Sequence, residues 1–236
     1  MPRIIAGWAG SLQLRTPPSG TRPTSDRVRE ALFSALEARD AVRDAHVLDL
    51  FAGSGALAFE ALSRGAAGAV LVDKGNGAAA AMRQNLALLR RAAPGELDAR
   101  IVVRPVAGYL ATPTGPAPTL VFLDPPYDLP DAQVTDVLAA LVPVAPGALL
   151  VLERSARSGP PARPGGVTLD RTRTYGDVGN RSRVQDRECC ARASSRSRHF
   201  GSRRPTQLFP RFRPKCRFFR GCRRKSGCRL QVDRRG

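Results

Sequence analysis

Short apolar runs alternate with segments of helical periodicity along most of the chain. Five of these runs are predicted to be buried strands, at 47–51, 69–73, 99–103, 120–124 and 148–153. Helices are predicted at 57–64, 78–91 and 132–141, and one more begins near 24–25. Strands that alternate with helices form a mostly parallel sheet. The pattern therefore predicts an α/β class, doubly wound fold.

The two ends of the chain depart from this pattern. Residues 1–20 carry two short strand patterns around a Gly-Trp-Ala-Gly turn, which predicts a β-hairpin extension. The main domain is expected at 21–177, with a sixth strand at 167–175. Beyond it the sequence shows neither helical nor alternating apolar periodicity, so we expect 178–236 to be a disordered basic tail.

Net charge divides the chain at the same point. The chain carries 38 Lys/Arg and 20 Asp/Glu, a formal net charge of +18. Residues 1–177 hold 19 basic and 17 acidic residues, whereas 178–236 hold 19 and 3, so the tail carries +16. All five cysteines lie in the tail, so the first 177 residues need no disulfide. No metal site is predicted, because the tail cysteines lack a Cys-x-x-Cys pair.

Two interpretations of the tail stay open. Its basic residues and scattered phenylalanines would bind RNA through phosphate contacts and base stacking, which would make it a functional nucleic-acid-binding segment. The abrupt change of composition is also what translation of a GC-rich gene in a shifted frame would produce. In that case the residues from about Val178 onward are not an evolved domain.

The fourth predicted strand ends in Asp124-Pro125-Pro126-Tyr127, which we identify as the candidate catalytic residues. Two prolines prevent the chain from continuing a ladder or starting a helix there. Ligands of open α/β sheets bind beyond the carboxyl ends of strands. The Asp124 carboxylate and the Pro125 carbonyl can each accept one hydrogen of an exocyclic amine, while Tyr127 stacks on the ring. The alternative is an ordinary Asp-Pro turn.

The first strand runs directly into Ala52-Gly53-Ser54-Gly55, which a helix follows. This arrangement binds nucleotides, because glycines let the backbone approach a ligand and helix N–H groups face it. The sequence lacks the third glycine of the dinucleotide fingerprint and the P-loop Lys-Ser/Thr, which argues against NAD and ATP.

Two acidic residues accompany the glycine turn. Asp49 lies inside an apolar strand, where its carboxylate needs a partner such as a cofactor amine or a backbone N–H. Asp73 ends the second strand, where an acid can accept both ribose hydroxyls of an adenosine ligand. It could instead be a simple strand-terminal acid.

Three arginines, Arg22, Arg27 and Arg29, crowd the start of the first predicted helix. They would contact phosphate or a cofactor carboxylate, or else form an ordinary solvated helix face.

Four motifs, taken in order, resemble the RsmD-like family of bacterial 16S ribosomal RNA guanine-N2 methyltransferases. They are RPTSDRVRE at 22–30, DLFAGSGAL at 49–57, EALSRGA at 60–66 and DPPY at 124–127. The likeness runs from Arg3 to about Asp177. It implies a Rossmann-like fold and S-adenosylmethionine as cofactor.

The resemblance also implies roles for the candidate residues. Asp49 and the turn at 52–55 would form the S-adenosylmethionine pocket, and Asp73 would hold the ribose. Residues 124–127 would hold the target guanine with N2 toward the methyl group. The motif at 22–30 would help close the cofactor site or touch RNA.

Two positions depart from the family pattern. Val106 stands where many relatives carry Asp or Asn. The valine side chain has no acceptor, so a backbone group would have to accept the hydrogen bond from the adenine amine. Residues 178–183 replace the family's final apolar strand. We therefore expect that strand to be missing, which would expose a sheet edge and cost several kcal/mol of burial at about 25 cal/mol per Å².

The expected function is methyl transfer to guanine N2 in 16S rRNA of the small ribosomal subunit, by a cytoplasmic monomer. No signal peptide or membrane-spanning stretch is present, so no membrane partner is expected. One alternative is a DNA amino-methyltransferase, because the DPPY motif also occurs there. The other is an inactive or frame-shifted product that acts only as a basic nucleic-acid-binding protein.

Overall fold

Both faces of the central sheet are covered by helices, as the alternating pattern predicts. A computed structural model describes residues 2–17, 26–155, 162–175 and 186–193, which all belong to one unit, Met1–Ser197. The helices are α1 Asp26–Glu37, α2 Ala56–Ser63, α3 Asn76–Ala92, α4 Val106–Ala111 and α5 Asp131–Val144. The strands are β1 His46–Leu50, β2 Gly68–Asp73, β3 Ala99–Val103, β4 Leu120–Leu123, β5 Leu149–Ser155, β6 Val167–Tyr175 and β7 Asp186–Ala193.

The sheet has the order β3-β2-β1-β4-β5-β7-β6, and β1 to β5 are parallel. From β1 the chain moves outward to β2 and β3, then returns to the other side of β1 as β4. The strand order therefore reverses between β1 and β4, which is where α/β sheets bind ligands beyond their carboxyl ends. The predicted doubly wound, Rossmann-like fold is confirmed.

Alternate residues of the strands pack into two separate cores, which explains why the strands are continuous apolar runs. On one face Val47, Leu71 and Phe122 pack with side chains of α1, α2 and α3. On the other face Leu48 and Val121 pack with α4 and α5. The short helix α4 was not predicted, because six residues are too few to show a helical period.

A strand lies where the sequence analysis expected none. β7 pairs antiparallel with β5 on one side and with β6 on the other, so the edge of β5 is covered. A ladder uses backbone N–H and C=O groups, so a sequence without apolar alternation can still form one. The expectation of a missing last strand is thereby corrected. Residues 176–185 and 194–236, with Cys216, Cys222 and Cys228, lie outside the described residues.

The predicted N-terminal hairpin is held by side chains of α2. Within residues 2–17 the strand pairing is a single antiparallel bridge between Arg3 and Gln13. Buried Glu60 accepts hydrogen bonds from the N–H groups of Ile5 and Ala6, at 2.7 and 3.1 Å. The hydroxyl of Ser63 accepts from the N–H of Ala9 at 3.0 Å. These side chains satisfy backbone groups that a longer ladder would otherwise pair.

Among the described residues, no helix is long and apolar enough to cross a membrane.

Candidate active site

A cleft of about 1110 Å³ opens at the carboxyl edge of the sheet, beyond β1, β2 and β4. It brings together most of the residues that the sequence singled out. Those in its lining are Asp49, Ala52, Gly53, Ser54, Asp73, Asp124, Pro125, Pro126, Tyr127 and Arg29. The glycine turn and the Asp-Pro-Pro-Tyr loop therefore face one space, although they are about 70 residues apart in the sequence.

Backbone conformation at the glycine turn explains its composition. Phe51, Gly53 and Gly55 have φ values of +62°, +56° and +79°, in the left-handed region that side chains disfavour. Phe51, which directly follows β1, adopts this conformation although it carries a side chain, so its backbone is strained. A Cβ on Gly55 would lie 2.5 Å from Phe59 and 2.6 Å from Leu71. Position 55 therefore needs a glycine, because a side chain there would clash with the residues packed beneath the turn. Gly55 itself does not line the cleft.

Asp73 ties the glycine turn to β2. Its Oδ2 accepts a hydrogen bond from the N–H of Gly53 at 3.0 Å, and its Oδ1 accepts from the N–H of Gly75 at 2.8 Å. A carboxylate has about four lone-pair positions, so two stay available for ribose hydroxyls in the cleft. Asp73 thus shapes the turn in addition to the ribose role expected from the sequence.

Asp49 finds a backbone partner at the start of α2. Its carboxylate is 1% exposed and accepts a hydrogen bond from the N–H of Ala58 at 3.1 Å. Burial raises the pKa of Asp49 to about 7, with the nearby charge of Asp73 adding to the rise and the Ala58 hydrogen bond opposing it. Of the two partners that the sequence left open, the backbone N–H is present. Asp49 also lines the cleft.

The Asp-Pro-Pro-Tyr loop follows β4 directly. Asp124 is partly buried and Pro125 is buried, whereas Tyr127 is 50% exposed. The carbonyl of Pro126 accepts from the N–H of Leu129 at 2.9 Å, which closes the loop into a turn before α5. An exposed aromatic ring beside a partly buried carboxylate suits a planar ligand that enters from solvent.

The three candidate arginines have different surroundings. Arg29 is 1% exposed, lines the cleft and donates to Asp26 at 2.8 Å and to the carbonyl of Arg3. Burial lowers the pKa of Arg29, and the charge of Asp26 opposes that shift. Arg27 is exposed and does not line the cleft, and Arg22 lies outside the described residues. Their proposed contacts with cofactor or RNA stay predictions.

Several polar residues in or near the cleft were not singled out from the sequence, among them Asn85, Gln133 and Asp136. Asn85 lies on the apolar side of α3 with Met82, Leu86 and Leu89, and a polar residue on such a face is the signal that would have identified it. Gln133 and Asp136 reach the cleft from one side of α5. Their spacing of three residues matches a helix face, but nothing in the sequence places that face beside the Asp-Pro-Pro-Tyr loop.

The lining fits S-adenosylmethionine in most respects. Asp73 has free acceptor positions for ribose hydroxyls, and the turn at 52–54 lets backbone approach the ligand. Val106 lines the cleft with Pro105, Ala107 and Leu110, so this wall is apolar and suits the face of an adenine ring. The side chain of Val106 cannot accept from the adenine amine, as expected. In the described part of the chain, no cluster of His, Cys, Asp or Glu could hold a metal ion.

Comparisons with known proteins agree with this geometry. The profile of the family described as Conserved hypothetical protein 95 matches residues 2–182. The ribosomal RNA small subunit methyltransferase D of Escherichia coli (strain K12) is 39% identical over 182 residues, 76% of this chain and 87% of that protein. The protein of the same name from Haemophilus influenzae is 34% identical over 76% of this chain and 91% of its own length.

A solved structure of the Escherichia coli protein yhhF superposes with a TM-score of 0.67 at 32% identity, covering 82% of this chain and 98% of that one. The family profile extends across the N-terminal segment, β1 to β6 and both halves of the cleft. The chain therefore belongs to the RsmD-like family of S-adenosylmethionine-dependent methyltransferases.

Proposed function

We propose that this protein transfers the methyl group of S-adenosylmethionine to the exocyclic N2 amine of a guanine in 16S rRNA of the small ribosomal subunit. The observation that carries the proposal is the single cleft shared by the glycine turn, Asp73 and the loop at 124–127. The relatives named ribosomal RNA small subunit methyltransferase D support RNA as the substrate class. We place the activity in the cytoplasm and assign it to a monomer.

S-adenosylmethionine, when bound, supplies an electrophilic methyl group carried on a sulfonium sulfur. Asp73 and the backbone at 52–54 would hold S-adenosylmethionine. Asp49 would support the turn by accepting the hydrogen bond from the N–H of Ala58 in α2. Hydrogen bonds within the protein hold the turn, so we expect little reorganisation on binding.

Asp124 and Pro125 orient the guanine amine. Each accepts one amine hydrogen, so the nitrogen lone pair points away from the loop and toward the cofactor side of the cleft. Asp124 then takes the proton that the cationic nitrogen loses after methylation, and a carboxylate with an ordinary basicity is sufficient for that step.

Tyr127 supports the base from its face. Its half-exposed ring can stack on a guanine that has left its own stack, and unstacking costs about a few kcal/mol. The loop is thus suited to a nucleotide presented from a flexible or opened part of the RNA.

The decisive test measures transfer of labelled methyl from S-adenosylmethionine to unmethylated small ribosomal subunits, followed by nucleoside analysis of the product. We expect N2-methylguanosine from the unaltered protein and none from the Asp124→Ala variant, which should still bind cofactor. Asp98→Ala is the matched control, because Asp98 is an exposed carboxylate at the opposite edge of the sheet and should leave transfer unchanged.

The same assay separates the alternatives. Parallel reactions with free 16S rRNA and with duplex DNA report whether the substrate is RNA, an assembled particle or DNA. Methyl transfer to adenine or cytosine of DNA would replace our proposal by the DNA amino-methyltransferase. Salt-sensitive RNA binding without any transfer would favour the basic nucleic-acid-binding protein.

A further inference from the structure

Asn85 links two segments that form walls of the cleft. Its side chain is fully buried in α3. The Oδ1 atom accepts from the N–H of Arg15 at 2.7 Å, and Nδ2 donates to the carbonyl of Arg15 and to the carbonyl of Ser54, both at 2.9 Å. Both donors of the amide and its acceptor are therefore in use.

The two partners of Asn85 adjoin the cofactor side of the cleft. Ser54 lies between the two glycines of the turn and lines the cleft itself. Thr16, the residue after Arg15, lines the cleft from the N-terminal segment. A change at Asn85 would therefore release the turn and the end of the N-terminal segment together.

The chemistry of the contact requires a carboxamide. The site presents one N–H and two carbonyl oxygens, so the side chain must accept once and donate twice. An aspartate at position 85 would place a carboxylate against both carbonyls, and an apolar side chain would leave one N–H and two carbonyl groups in a partly buried site without this partner. No other residue type of this length offers the same set of donors and acceptors.

The other anchors of the N-terminal segment lie elsewhere. Glu60 and Ser63 hold Ile5, Ala6 and Ala9 against α2. Docking of residues 4–9 therefore does not depend on Asn85, whereas the position of residues 15 and 16 does.

We propose that Asn85 is a positioning residue which couples docking of residues 15–16 to the glycine turn, and thereby sets the affinity for S-adenosylmethionine. Linkage makes this coupling reciprocal, so cofactor binding must in turn stabilise the docking of Arg15. A purely structural asparagine would affect global stability without either effect. The inference concerns only the binding of the cofactor. It can therefore be wrong while the proposed RNA substrate is correct, and it can be correct while the proposed RNA substrate is wrong.

The first measurement is the dissociation constant of S-adenosylmethionine for Asn85→Ala and Asn85→Asp, by calorimetry. We expect affinity to fall about tenfold or more, as loss of the hydrogen bond to the Ser54 carbonyl and of the two bonds to Arg15 implies. At saturating cofactor the kcat for methyl transfer should stay near its original value, because residues 124–127 are untouched. Ser63→Ala is the matched control. It removes the hydrogen bond between Ser63 and Ala9, which anchors the N-terminal segment at a point distant from the glycine turn. We therefore expect unchanged cofactor affinity.

The second measurement is made on the unaltered protein, so its decisive outcome does not depend on whether the variants fold. Hydrogen exchange at the Arg15 amide should slow when S-adenosylhomocysteine binds to the unaltered protein, and Asn85→Ala should lose that protection. Unchanged exchange at Arg15 on ligand binding would overturn the proposal. So would Asn85 variants that fold and bind cofactor within twofold of the original affinity.

Discussion

Arg154 in β5 forms an ion pair with Asp131, the first residue of α5, with 2.5 Å between Nη2 and Oδ1. Its Nη1 also donates to the carbonyl of Leu129 at 3.2 Å. The arginine is almost completely buried, whereas Asp131 is half exposed. One side chain thus holds the end of the Asp-Pro-Pro-Tyr loop and the start of the next helix against the sheet.

Arg154→Met should reduce methyl transfer while leaving cofactor affinity unchanged, because it releases only the target side of the cleft. Leaving the Leu129 carbonyl without its partner should also lower the free energy of unfolding by about 1–3 kcal/mol. Asp131→Ala should have a smaller effect on transfer, since the bond from Arg154 to Leu129 persists. Steady-state kinetics with each substrate varied in turn checks this, and an unchanged kcat/KM for the RNA in Arg154→Met would contradict it.

Asp49→Asn should change how stability depends on pH. The folded state raises the pKa of Asp49 to about 7, above the ordinary value of 3.8. The folded protein therefore binds this proton more tightly than the unfolded chain. That contribution to stability is full below about pH 4 and is lost as pH rises through about 7.

An asparagine cannot ionise, so the variant should gain stability relative to the original protein as pH rises from about 4 to about 7. The side-chain oxygen of asparagine can still accept from Ala58, which limits other effects. Thermal unfolding of both proteins across this range provides the measurement. A difference between their midpoints that stays constant with pH would show that Asp49 does not titrate in this way.

Gly55→Ala should be strongly destabilising, whereas Gly65→Ala should be mildly so. Both glycines have positive φ, +79° and +99°, and an alanine there costs about 1–2 kcal/mol from backbone conformation. At Gly55 the new Cβ would also meet Phe59 and Leu71 well inside contact distance, which adds about 1–3 kcal/mol of overpacking. At Gly65 it would meet no atom within 4 Å.

Denaturant unfolding of the two glycine variants compares these costs directly. The Gly55 variant should in addition bind S-adenosylmethionine more weakly, since Phe59 and Leu71 support the turn. Equal losses of stability in the two variants would show that backbone conformation alone explains the glycine at position 55.

Several features of this protein were determined by the local sequence. Apolar runs such as 120–123 identified the parallel strands because a strand buried on both faces has little room for polar residues. The prolines at 125 and 126 marked the loop because they cannot join a ladder or begin a helix. Gly53 and Gly55 marked the turn, since only glycine adopts positive φ at low cost.

Other features were decided only by the tertiary structure. β7 pairs through backbone groups, so its side-chain pattern carried no signal, and the sequence wrongly indicated a missing strand. The hydrogen-bond partner of Asp49 lies 9 residues away along the chain. The partners of Asn85 lie 70 and 31 residues away. Those of Arg154 lie 25 and 23 residues away. The sequence shows that a buried polar group needs a partner, but only the packing of helices on the sheet selects which backbone group comes within hydrogen-bond distance.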